Sequence, residues 1–96
     1  MSTLTVVAQV TAKPDAVVQV KSELLKLIEP TRKETGCIEY ILHQDTAEPA
    51  RFIFYETWQD GACLENHMET EHFTSYVSAV ADLIECKTVQ KLTRIA

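Results

Sequence analysis

Ninety-six residues make a single small domain, 1–96. A chain of this length removes only about two-thirds of its unfolded surface from water, so a partner subunit is the simplest way to enlarge its core. A net charge of −5 without clustered Lys or Arg excludes a phosphate-backbone partner, so no nucleic acid is expected, and it disfavours an anionic membrane surface. With 46% hydrophobic and 24% charged residues, no repeat and no low-complexity tract, the composition excludes disorder. The opening MSTLTVVAQV lacks the basic start and apolar run of a signal peptide. No segment reaches the ~18 apolar residues of a membrane span, and a cytoplasmic location is expected. Cys37, Cys63 and Cys86, odd in number and without a paired spacing, read as reduced thiols acting as small buried hydrophobes rather than as disulfides, zinc ligands or a nucleophile.

Residues 3–11 alternate, with Leu4, Val6, Ala8 and Val10 on one side, the pattern of a strand with one buried face. Lys13-Pro14-Asp15 interrupts it. Val17, Val20, Leu24, Leu27 and Ile28 then recur at helical spacing behind a candidate N-cap at Asp15. Pro30 should kink or end that helix near Glu29, and Gly36 closes the turn that follows.

Two further strands, CIEYILHQD and RFIFYETWQ, flank the five-residue loop TAEPA. With Asp45 opposite Arg51, Ile38, Tyr40, Leu42, Phe52, Phe54, Glu56 and Trp58 share one face, Tyr40 opposes Glu56 and Ile38 opposes Trp58. Asp60 is placed to cap a short helix carrying Leu64, His67 and Met68 on one side. Thr70 is placed to cap a second helix carrying Phe73, Tyr76, Val77, Val80 and Ile84. A last strand, CKTVQKLTRI, completes the order strand, helix, strand, strand, helix, strand. That is the split βαββαβ arrangement of a ferredoxin-like α+β sandwich. Because the hairpin is apolar on both faces, with Ile41, Ile53 and Tyr55 on the second, a second sheet is expected to cover the open side in a homodimer.

The chemistry concentrates in ETWQDGACLENHMETEHF, residues 56–73. His67 and His72 are five apart across a helix break, whereas two helical ligands of one ion stand at i and i+4, so no metal is expected. Glu65, Glu69 and Glu71 fall off the apolar stripe and read as a solvated face. Glu56 shares a face with Phe54 and Trp58, where an unpaired carboxylate would be costly. An ion pair of Glu56 with Arg32 or Arg94 and a core histidine at 67 are the structural alternatives. The convergence of a tryptophan, a carboxylate and two imidazoles favours a site.

The string Glu56-Thr-Trp58, Leu64, His67 and Thr70-x-His72-Phe73 resembles the antibiotic biosynthesis monooxygenase family, especially its bacterial quinol-monooxygenase-like members. The resemblance continues upstream through Val6-Val7-Ala8, Lys13-Pro14 and Pro30-Thr31-Arg32-x-x-x-Gly36-Cys37-x-x-Tyr40. Glu71 departs from it, since the family often has proline there. What the resemblance implies is a homodimeric α+β barrel with a pocket between sheet and helices in each subunit. For some members it also implies oxygenation of hydroquinones or polycyclic phenols by dioxygen without metal, flavin or haem. His67 is then the expected proton acceptor, with His72 a second candidate, Trp58 an aromatic wall, and Glu56 a carboxylate that orients an imidazole or Tyr40. Tyr40, Phe54, Leu64, Phe73 and Tyr76 are the expected substrate-binding residues.

Similar domains include an isomerase of a phosphorylated metabolite and haem-degrading enzymes, so the fold alone does not choose a reaction. The haem branch pairs a first-strand asparagine with a tryptophan and a histidine, and residues 3–11 contain no asparagine. The isomerase needs cationic groups for its phosphate. A non-catalytic binder of quinones or other hydrophobic ligands would use the same pocket.

Overall fold

The computed structural model describes residues 3–96. Its elements are β1 (Leu4–Ala12), α1 (Val17–Lys26), α2 (Ile28–Arg32), β2 (Cys37–Gln44), β3 (Arg51–Trp58), α3 (Gly61–Met68), α4 (Glu71–Val80) and β4 (Ile84–Leu92). The four strands form one antiparallel sheet in the order β2-β3-β1-β4, the ferredoxin-like α+β arrangement expected. Period-two alternation places Val6, Val10 and Ala12 of β1 and Phe52, Phe54 and Trp58 of β3 in the core. Val20 and Leu24 of α1, the linking Leu27, Leu64 of α3 and Val80 of α4 close over them.

The first helix begins and ends differently from its sequence pattern. Ala16, not Asp15, is its N-cap and lends no side-chain hydrogen bond, because the turn that bonds Ala16 N–H to the Lys13 carbonyl buries the small methyl and leaves Asp15 outside. Helix α1 stops at Lys26, ahead of the proline, and α2 starts afresh at Ile28. Pro30 lies in the first turn of α2, where its missing N–H leaves no bond unmade.

The hairpin has the expected pairing at Tyr40↔Glu56, and Asp45 N–H bonds the Arg51 carbonyl at 2.9 Å. Asp45 also accepts the Ala47 and Glu48 amides, so one carboxylate builds the turn. A register shift between Cys37 and Glu39 makes Cys37, not Ile38, the partner of Trp58, and Ile38 is 55% exposed. The extra residue of such a bulge displaces its side chain from the face that alternation assigns to it. Met68, the last residue of α3, also turns out to be exposed, and Cys86 is exposed on β4 rather than buried. Ile84 opens β4 instead of extending α4, and Val77 is 41% exposed.

Gly36 has φ +84°, a conformation strained for any residue with a side chain, and a Cβ there would overlap the Cys63 thiol. Its carbonyl accepts the Gln59 amide, tying the entry of β2 to the exit of β3 directly before α3. Gly36→Ala should therefore lose about 1–3 kcal/mol of stability. Denaturant unfolding checks this; an unchanged midpoint would mean that the turn relaxes without cost.

Candidate functional site

Two hydroxyl and carboxylate caps set the helices that carry the imidazoles. Asp60 accepts the Cys63 amide at the start of α3, and Thr70 accepts the Phe73 amide at the start of α4. The Thr70 hydroxyl also donates to the His67 carbonyl at 2.7 Å, so one side chain ends α3 and begins α4. This joint brings together histidines that no single helix could align.

Both rings meet Glu34, which lies between α2 and β2. His67 Nδ1 and His72 Nε2 each stand 2.7 Å from the same Glu34 oxygen, Oε2. A carboxylate oxygen can only accept, which places the His67 proton on Nδ1 and the His72 proton on Nε2. The other nitrogens, Nε2 of His67 and Nδ1 of His72, have no hydrogen-bond partner among the described residues and are acceptors in the neutral rings. Side-chain exposure grades across the cluster from 3% at His67 through 12% at Glu34 to 25% at His72.

Aromatic rings enclose the inner imidazole. Trp58 and Phe73 each lie 4.9 Å from His67 between ring centroids, and Tyr40 meets its edge at 5.6 Å. Tyr40 in turn stacks on Phe54 at 4.6 Å. Burial lowers the pKa of His67 from its ordinary value, with the hydrogen bond and charge of Glu34 opposing.

Glu56 does not orient an imidazole or Tyr40. Its Oε1 accepts the Trp58 indole N–H at 2.9 Å, a bond between two residues of one strand face that locks the indole plane. Burial pushes the Glu56 carboxyl up to about 7; the indole bond opposes this and the charge of Glu34 adds to it. Burial likewise raises the Tyr40 phenol far above its ordinary range, Tyr76 to about 12 and the Cys37 thiol to about 11. A thiol so raised is protonated and a poor nucleophile.

The structure thus brings together His67, His72, Trp58, Tyr40 and Phe73, and keeps Glu56 beside them through Trp58. Leu64 and Phe54 are buried core residues beneath the cluster, whereas Phe73 and Tyr76 are half-buried on α4, their rings 5.9 Å apart. A surface depression of about 330 Å³ lies along β2, lined by Arg32, Cys37, Ile38, Glu39, Tyr40 and Ile41. It includes neither imidazole nor Glu34, so the chemistry and the depression do not coincide.

Glu34 is the member of this cluster that sequence reasoning missed. It occupies an unspecified position of the Pro30-to-Cys37 stretch and belongs to no periodic pattern; the one available signal was the need of two half-buried histidines for an acceptor.

Glu34, His67 and His72 are of metal-ligating type, with donor atoms within 4.8 Å of one another. Ligands of a tetrahedral zinc stand about 3.3 Å apart. The two 2.7 Å contacts to one oxygen are shorter than that and have the length of charge-assisted hydrogen bonds.

The arginines are engaged elsewhere: Arg32 donates twice to the Tyr40 carbonyl, Arg51 pairs with Asp45 at 3.3 Å, and Arg94 donates to the Ala96 carbonyl. No arginine hydrogen-bonds the imidazole cluster among the described residues, which leaves the cationic requirement of a phosphate isomerase unmet there.

The family model described as antibiotic biosynthesis monooxygenase matches residues 3–79. The chain is 30% identical over 93 residues to the probable quinol monooxygenase YgiN of Escherichia coli, with 85% of this chain and 89% of that protein covered. It is 34% identical over 97 residues to the Synechocystis protein sll1783, with 97% of this chain covered; the match spans only 63% of that relative's length. The crystal structure of PA3566 from Pseudomonas aeruginosa superposes at a TM-score of 0.96 with 36% identity, covering 100% of this chain and 97% of that one.

Because the folded Glu56 carboxyl binds its proton more tightly than the unfolded one, the stability it contributes is fully present below about pH 4.5 and is lost as the pH rises through about 7. Glu56→Gln, which keeps an acceptor for the indole, removes this dependence. From pH 4.5 to 8 its stability should improve relative to the parent by roughly 2–3 kcal/mol. Denaturant unfolding at both pH values measures the change; a constant difference would show that Glu56 titrates alike in both states.

Proposed function

Since the chain belongs to the antibiotic biosynthesis monooxygenase family, we propose that it oxygenates a hydroquinone or polycyclic phenol with dioxygen, using no metal, flavin or haem. The observation that carries this reading is the pair of imidazoles held on one carboxylate against an aromatic wall. The similarity to the probable quinol monooxygenase YgiN of Escherichia coli supports the substrate class.

The chemistry asks little of the protein. An imidazole removes the phenolic proton, and the electron-rich phenolate gives one electron to dioxygen, leaving an aryloxyl radical and superoxide. Their recombination at a ring carbon gives a peroxide anion, and the proton returned by the imidazolium makes it a hydroperoxide. For a hydroquinone, loss of water then leaves a hydroxyquinone, with one oxygen atom in the product and the other in water. The site supplies a base, a carboxylate that stabilises the imidazolium, and apolar rings that keep water from the intermediates.

The working unit in this reading is a homodimer in the cytoplasm. Ile41 and Tyr55, cross-strand partners, are 38% and 39% exposed on the sheet face opposite the core, and Leu92, paired with Thr5 on that same face, is 43% exposed. A second sheet packed on this face would bury them and enlarge a core that is small for a free-standing domain.

Two measurements test these statements. Chelator-treated protein given a panel of hydroquinones and polycyclic phenols should consume oxygen faster than heat-unfolded protein, and the product should gain one atom of ¹⁸O from ¹⁸O₂. Tight binding without uptake would instead make the protein a carrier of such ligands. Sedimentation equilibrium should give twice the chain mass, and Tyr55→Lys, which places charge on the open face, should shift it towards the monomer. A parent that sediments as a monomer throughout would remove the dimer.

A further inference from the structure

His67 and His72 are equivalent as chemistry but not as placement. The inner ring, at 3% side-chain exposure, has Trp58, Phe73 and Tyr40 around it and Glu34 on its Nδ1, which leaves little of its surface open to a substrate oxygen. The outer ring stands in the first turn of α4 at 25% exposure, with Nε2 turned to Glu34 and Nδ1 bare. One helical turn further along the same face is Tyr76, and Phe73 lies between them in sequence. A flat aromatic ligand resting on Phe73 and Tyr76 would therefore find its acceptor on the same helix.

We propose that His72 is the catalytic base, that Glu34 is the residue that positions it, and that His67 is the buried clamp that holds Glu34 in place. The proposal rests on the oxygenase reading and deepens it by exchanging the expected roles of the two histidines. In the proton step, the substrate O–H bond breaks, its proton passes to His72 Nδ1, and its electron pair stays on the phenolate oxygen. His72 becomes an imidazolium whose Nε2–H still donates to Glu34 Oε2, so the new positive charge forms 2.7 Å from a carboxylate oxygen. His67, donating from Nδ1 to the same oxygen, keeps that oxygen aimed at His72 and takes up no substrate proton. The electron transfer to dioxygen is unchanged.

This division of labour makes the three residues respond differently. His72→Ala, at a part-exposed position, should lower kcat/KM for hydroquinone-dependent oxygen uptake by roughly 100-fold or more, as expected for loss of a general base. Added imidazole should restore part of it by entering the vacated space. Glu34→Gln should lower kcat with little change in KM, since it leaves the substrate surface intact. It should also abolish the paired tautomers, seen by ¹⁵N NMR as His72 losing its exclusive Nε2–H form. His67→Asn, which retains an N–H for Glu34, should lower kcat/KM by less than His72→Ala does and should gain nothing from added imidazole, because the clamp and not the imidazole basicity is what His67 supplies.

Should His72→Ala fail to fold, His72→Gln replaces it. A folded His72 variant at the parental rate, or a His67→Asn protein that is inactive while the His72 variant works, overturns the assignment and leaves the oxygenase reading standing. A parent inert towards every phenol of the panel removes both.

Discussion

A single oxygen atom, Oε2 of Glu34, receives an N–H from each of two helices. A carboxylate withdrawn from water is tolerated only where donors replace its hydration, and here both donors are imidazoles aimed at the same atom. Much follows from that requirement. Helix α3 must end and α4 must begin where Thr70 can bond the His67 carbonyl and the Phe73 amide together, since any other joint would swing one ring away. The chain leaving α2 must reach back under both helices, which it does just before the positive-φ turn at Gly36. The geometry of the cluster is thus a property of three separate segments, each held by its own local chemistry.

The site contains a second buried carboxylate with a different environment. Glu56 has one donor, the indole of its neighbour Trp58, and lies deep enough that desolvation outweighs that bond. A carboxyl displaced towards neutrality presents less charge beneath the aromatic rings than a fully ionised one would. Its charge state also matters to the imidazole cluster, because the field of Glu34 is one of the causes that raise it. Two acids in one small core are separated into different roles by their donors, a familiar route to acid–base function in a shared site.

Apolar rings and polar groups are layered rather than mixed. Phe54, Tyr40 and Trp58 rise from the sheet, His67 rests on them, and His72 with Phe73 and Tyr76 forms the outer rim on α4. The inner layer gives the imidazoles a dry floor, and the outer layer is what a ligand would touch first. On the opposite side of the sheet, the half-exposed Ile41 and Tyr55 belong to a surface separate from the imidazoles, so the proposed assembly surface and the proposed site lie on different faces of one sheet.

Alternation and helical spacing determined the element order, the buried faces of β1 and β3, the Tyr40–Glu56 pairing and both N-caps around the histidines. All of these depend on residues close in sequence or paired through a short hairpin. The bulge at Ile38 and the restart of the helix at Ile28 escaped that reading, since each is a compromise between a local pattern and the packing of distant segments. The family resemblance located Trp58, His67 and His72 and suggested their chemistry, but the partner of each was a matter of tertiary contact. Glu34 lies 33 and 38 residues from the rings it joins, and no periodicity links positions so far apart. Which imidazole is sealed and which is open depends on how α3 and α4 settle on the sheet, because burial belongs to the packed molecule and not to any one segment.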